Sequence, residues 1–237
     1  NNTGGTLDIQ TGMLSFGSTF NPSGASTLTA GTLNVTAGGS GSGTFTTSAG
    51  TTVNFSGGTY TVAGGASLAS SGMLAINGGT LTSTGSVTTS NLSLSSGTLN
   101  GAGAVTINDN MNWSGGTQAT NTGTTTIAAG ANLNITGAVS LARRIDNFGT
   151  TTWTGTGDIS SSGGASSVVF DNKAGAQFLI QNDQTIQGDG GGAEVVINAG
   201  LLRKTVATGA TSLAGVVDFN NTGGTLDIQT GMLSFGS

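Results

Sequence analysis

Cysteine and histidine are both missing from the 237 residues. Their absence excludes disulfides, thiolate and imidazole metal ligands, and the commonest nucleophile–base pairs of covalent catalysis. Proline occurs once, aromatic residues make up 5% and charged residues 6%, whereas an ordinary domain carries about 25% charge. Five basic residues exist, Arg143, Arg144, Lys173, Arg203 and Lys204, against a net charge of −5. A nucleic-acid surface needs clustered Lys and Arg, so that partner class is excluded. No apolar run approaches the roughly 18 residues of a membrane-spanning helix. Disorder is excluded too, because hydrophobic residues reach 35% and mean hydropathy is +0.11, where disordered chains pair low hydrophobicity with high charge.

What is present is repetition. The stretch NNTGGTLDIQTGMLSFGS fills positions 1–18 and returns unchanged at 220–237, so that Asn1 and Asn220 open the same phrase. So long an exact match marks a tandem repeat followed by the opening of the next copy. The expected organisation is one unit over 1–219, with a more charged section at 143–204, and the start of a second unit at 220–237.

Inside the unit, short phrases alternate apolar and polar residues between glycines. Leu7 and Ile9 fall two apart, Gly12 turns the chain, and Leu14 and Phe16 repeat the pattern. That is the period of a strand with one buried face. The phrase recurs with inward candidates Leu33, Val35, Val53, Phe55, Tyr60, Val62, Leu74 and Ile76. Helix evidence is nearly absent, since Gly and β-branched residues are poor helix formers and no apolar stripe at 3.6 spacing persists. Turns every seven or eight residues suit the corners of an all-β solenoid with about three short strands per coil. At roughly 20 to 24 residues per coil, a unit holds roughly nine to eleven coils and spans on the order of 45 to 50 Å. Between Ile9 and Asn108 no Asp, Glu, Lys or Arg occurs. Stacked strands explain this, because like charges would repel at every rung while Asn and Thr hydrogen-bond along the ladder.

The phrases GGTLDI at 4–9, AGTLNV at 30–35, GGTYTV at 57–62 and GGTLTS at 78–83 resemble the β-strand repeats of bacterial autotransporter passengers and filamentous-haemagglutinin-like surface proteins. The resemblance covers most of the chain. It implies a right-handed parallel β-helix on the cell exterior and carries no catalytic motif.

Candidate functional residues are correspondingly few. Asp183 with Asp189, or Asp171 with Lys173, are the acids spaced for carboxylate catalysis on polysaccharides; the plainer reading is solvated corner residues. Gly188 to Glu194, with Asp189 among glycines, is a single copy of a Gly/Asp calcium phrase that needs stacked copies to complete its oxygen shell. No enzyme, cofactor or metal is expected. Asn34, Asn54, Asn91, Asn112 and Asn134, like Asn1 and Asn220, begin Asn-x-Ser/Thr triplets that admit glycosylation or ladder roles. Trp113 and Trp153 are candidates for sugar stacking or for the core. Thr124 to Thr126 and Thr150 to Thr152 are the phrases an ice-binding face would use.

A solenoid needs caps where its edges would otherwise lie open, and both copies of the repeated stretch are ordinary strand phrases. The expectation is therefore an extracellular or cell-surface filament of coaxial repeats, joined end to end as one chain or as separate subunits. Its junction would use Leu7, Ile9, Leu14, Phe16, Phe219, Leu226, Ile228, Leu233 and Phe235. The alternative is a surface adhesin whose stalk carries a glycan-binding or cell-binding face, with lateral bundling through 143–204 a further partner interaction.

Overall fold

A computed structural model describes residues 7–119, 122–161, 169–189, 194–215 and 217–236. Among the described residues all regular structure is β, and every strand pairing is parallel. The chain winds as a β-solenoid of about ten turns, each about 20 residues long. Each turn lays down three strands, as the sequence predicts.

The first coil sets the pattern. Leu7–Ile9 lies on the first face and Met13–Phe16 on the second, while Phe20 reaches the third through an isolated bridge to Gly39. The next coil repeats this with Ser26–Leu28, Thr32–Val35 and Gly39–Gly41. Strands of the first two faces join into one 19-stranded sheet, and those of the third form a 10-stranded sheet. Three long strands, Ser67–Ile76, Ser86–Leu94 and Val105–Trp113, run through both of the first two faces. Each of those faces is consequently eleven layers deep.

Alternation dictates what lies inside. In Thr32–Val35 the pattern is polar-out and apolar-in, with Leu33 and Val35 buried, and Leu14, Leu33, Val53 and Leu74 stack in one column. All the inward candidates from Leu33 to Ile76 are buried. Along a second inward column, Phe16, Val35, Phe55, Ile76, Leu94, Trp113, Ile135, Trp153 and Ile180 succeed one another. Trp113 and Trp153 are both fully buried. Their role is packing, which decides against sugar stacking.

Coil length varies without disturbing these columns. The step from Val87 to its partner Val105 is short, and that from Phe170 to its partner Val196 is much longer. The strand Ser86–Leu94 crosses its corner without a break, whereas residues 173–176 separate Val169–Asn172 from Gln177–Ile180. Gly31 shows what a tight corner needs: its φ is +82°, and a Cβ there would collide with the Gly12 carbonyl of the coil below.

Candidate functional site

The charged section begins and ends on residues that the fold turns inward. Arg143 is fully buried, and its guanidinium donates to the carbonyls of Gly101, Gly103 and Thr124 and to Thr125 Oγ1. Gly123 leaves it room, since a Cβ there would meet the guanidinium. Burial lowers the Arg143 pKa to about 10, still far above neutrality, so the group is a cation that staples several layers through their carbonyl oxygens.

Lys204 occupies the inward column after Ile180 and before Ile228. Its fully buried ammonium donates to the Asn182 carbonyl at 2.7 Å, to Asp183 Oδ1 at 2.8 Å and to Thr211 Oγ1 at 3.0 Å. The Asp183 pKa is lowered, chiefly by the hydrogen bond from Lys204. Partial desolvation opposes this, and the Gly209 N–H and the Lys204 charge add to it.

The other three bases lie outside and are paired. Arg144 and Lys173 both reach Asp146 and Asp171, with Arg144 Nη2–Asp171 Oδ2 at 2.7 Å and Lys173 Nζ–Asp171 Oδ2 at 2.6 Å. Lys173 also lies 5.8 Å from the ring centre of exposed Phe148. Arg203 Nε meets Asp227 Oδ2 at 2.7 Å across adjacent strands. Asp171 and Asp183, two of the three acids spaced for catalysis, thus each serve a lysine ion pair.

Beside this cluster runs an amide ladder, buried at its first three members and exposed at its last. Asn147, Asn172, Asn198 and Asn221 occupy one column. The Nδ2 of each of the first three donates forward at 2.8 Å to the next Oδ1, and also bonds a carbonyl, that of Gln177, Leu201 and Thr225 respectively. Sequence reasoning missed it, although the signal exists as Asn closing the phrases IDN, FDN, VIN and FNN one coil apart. An open groove of about 580 Å³ follows the adjoining corner, floored by Gly175, Gly200 and Gly224 and edged by Arg203.

The triplet asparagines Asn34, Asn54, Asn91, Asn112 and Asn134 all stand on the second face. Amides there form outer ladders, Asn54 Nδ2 to Asn34 Oδ1 at 3.0 Å and Asn134 Nδ2 to Asn112 Oδ1 at 3.1 Å, with Asn110 reaching Asn91 at 3.5 Å. Asn220 lies in the strand Val217–Asn221, and Asn1 falls outside the described residues. The two threonine phrases occupy different faces, Thr124–Ile127 the first and Thr150–Trp153 the second, so they do not merge into one surface. Most of the Gly/Asp phrase, residues 190–193, lies outside the described residues.

The residues expected at the junction fall in the first and last coils. Ile9 is buried, Leu14 and Phe16 pack against the core, and Leu7 pairs its backbone with Ser26. Leu226, Ile228 and Phe235 are about 40% exposed, whereas Phe219 and Leu233 are half-buried. Phe16 stacks on Phe20 at 4.4 Å, and Phe235 on Phe219 at 4.5 Å. The two copies of the repeated stretch do not occupy equivalent faces. The first puts Leu7–Ile9 on the first face and Met13–Phe16 on the second; the other puts Thr225–Ile228 on the second and Met232–Phe235 on the third.

Comparison with protein-family models, with curated proteins and with solved structures gave no match.

Proposed function

We propose that this chain is a segment of an extracellular, non-enzymatic filament in which β-solenoid units, each the length of positions 1–219, follow one another coaxially. The observation that carries the reading is the placement of the second copy. Thr225–Ile228 and Met232–Phe235 wind directly onto Leu201–Lys204 and Ala210–Ala214 in parallel register, as one more coil of the same solenoid. A repeat that begins without a linker or a change of axis makes a rod grow by its own template.

The interior suits that role. Backbone hydrogen bonding runs the length of the solenoid, and the core is a narrow set of stacked columns with buried polar staples where the apolar columns are interrupted. End-to-end contact with identical units is the partner interaction, and the paired cluster of Arg144, Asp146, Asp171 and Lys173 offers a lateral one. The adhesin reading loses its two tryptophans to the core, and the five basic residues are all engaged.

Electron microscopy of proteins carrying one, two and three consecutive units tests the reading. Rods should lengthen by about 50 Å per unit at constant width. Compact particles, or units joined by hinges, would refute it.

A further inference from the structure

We infer that successive units in this filament are turned by one face relative to one another, so that the rod regains its starting orientation only after three units. The inference rests on the coaxial reading above and concerns the surface through which one unit receives the next copy.

The local structure of the repeated stretch travels with its sequence. Gln10 Nε2 donates to Asp8 at 2.9 Å, and Gln229 Nε2 donates to Asp227, its copy, at 3.0 Å. The face does not travel. Leu7 heads the first-face column that descends through Ser26, whereas its copy Leu226 lies on Leu202 in the second-face column that begins at Leu14. Advancing from Leu7 to Leu226 therefore takes the chain through ten full turns and one additional face. Three units make about thirty-one turns, about 150 Å at about 4.8 Å per turn.

Two contacts hold the second copy in this phase. Asp227 sits beside Arg203 in the adjacent strand, at 2.7 Å. Had the copy kept the first face after ten full turns, it would take the place of Val217–Asn221 there, with Leu226 instead of Phe219 over Val196 and Asp227 over Ile197, which offers no cation. Phe235 on the third face stacks on Phe219 of the first. The chain follows Phe16 with Phe20 four residues later, stacked upon it. A Phe20 copy one corner beyond Phe235 reaches the first face above Phe219 and closes an aromatic trio across the junction.

The cluster of Arg144, Asp146, Asp171 and Lys173 then points to each of three sides in succession. A neighbouring rod that reads it meets it along one side only every third unit.

The absence of native cysteine makes disulfide mapping of the full chain direct. Leu201→Cys with Thr225→Cys joins positions opposed on the second face; Val195→Cys with Thr225→Cys joins the positions opposed if the copy kept the first face. The expected result is near-complete oxidation of the first pair and none of the second, with far-UV circular dichroism confirming folding of both. Cross-linking of the second pair, or of neither, overturns the inference. Cryo-electron microscopy of a three-unit protein separates it from the reading beneath it. A straight rod with the ionic cluster on three successive sides supports both, and a straight rod with every cluster on one side refutes the turn alone. Units that hinge or stand apart refute coaxial stacking and the turn together.

Discussion

Replacing Asn172 by alanine should be among the most costly single changes in the charged section. The side chain is fully buried, accepts from Asn147 Nδ2 at 2.8 Å, and donates to Asn198 Oδ1 at 2.8 Å and to the Leu201 carbonyl at 3.0 Å. Truncation leaves Asn198 Oδ1 and the Leu201 oxygen without this donor, and deprives Asn147 of one of its two acceptors. At about 1–3 kcal/mol for each of the two acceptors left unmet, the loss comes to about 2–6 kcal/mol. The same change at Asn221, exposed at the far end of the ladder, should cost below about 1 kcal/mol, because Asn198 Nδ2 retains the Thr225 carbonyl. Urea unfolding of the full chain, followed by circular dichroism, measures both. Asn172→Asp adds a test of sign. The introduced carboxyl faces two acceptors in the interior, so its pKa rises above the unfolded value of about 4. Stability is then greatest below that value and falls as pH climbs through the raised one, the opposite of an ion-paired carboxylate. Equal costs at Asn172 and Asn221, or a flat pH profile for Asn172→Asp, would refute the ladder as a source of stability.

Lys204→Met keeps the inward column apolar between Ile180 and Ile228 and releases Asp183 to water, so its melting temperature should stay near that of the parent. Asp183→Ala strands a buried ammonium and should lower it clearly; the reverse order in thermal unfolding would contradict this. Because Lys204 depresses the Asp183 pKa, the pair stabilises the fold above the usual carboxylate pKa of about 4 and is lost as pH drops through the lower folded value. Acid titration should show that decline in the parent and not in Lys204→Met. Arg143→Met removes the donors that serve Gly101, Gly103 and Thr124, and should cost about 3 kcal/mol or more in the same urea assay.

Strand existence, three strands per coil and the inward set were all legible from alternation, as Leu33, Val35, Val53 and Phe55 show. The fate of the charges was not. Arg143 and Lys204 belong to a section that reads as surface decoration, yet a long aliphatic stem can carry a charged head inward wherever backbone carbonyls await it, and spacing along the chain does not reveal those carbonyls. The phase of the repeat was equally hidden. It depends on counting faces, and Ser67–Ile76, Ser86–Leu94 and Val105–Trp113 each cross two faces without breaking the strand. Leu7 and Leu226 carry identical letters and yet pair on different faces, because the coil each is laid against decides its place.

The asparagine columns also give the molecule an electrical property. In the inner column each amide points its nitrogen forward along the chain, from Asn147 toward Asn221. In the outer columns it points backward, from Asn54 to Asn34 and from Asn134 to Asn112. Side-chain dipoles of the two sets therefore oppose one another along the axis. The asparagine columns add little net polarisation along the solenoid axis, because the forward set offsets the backward one.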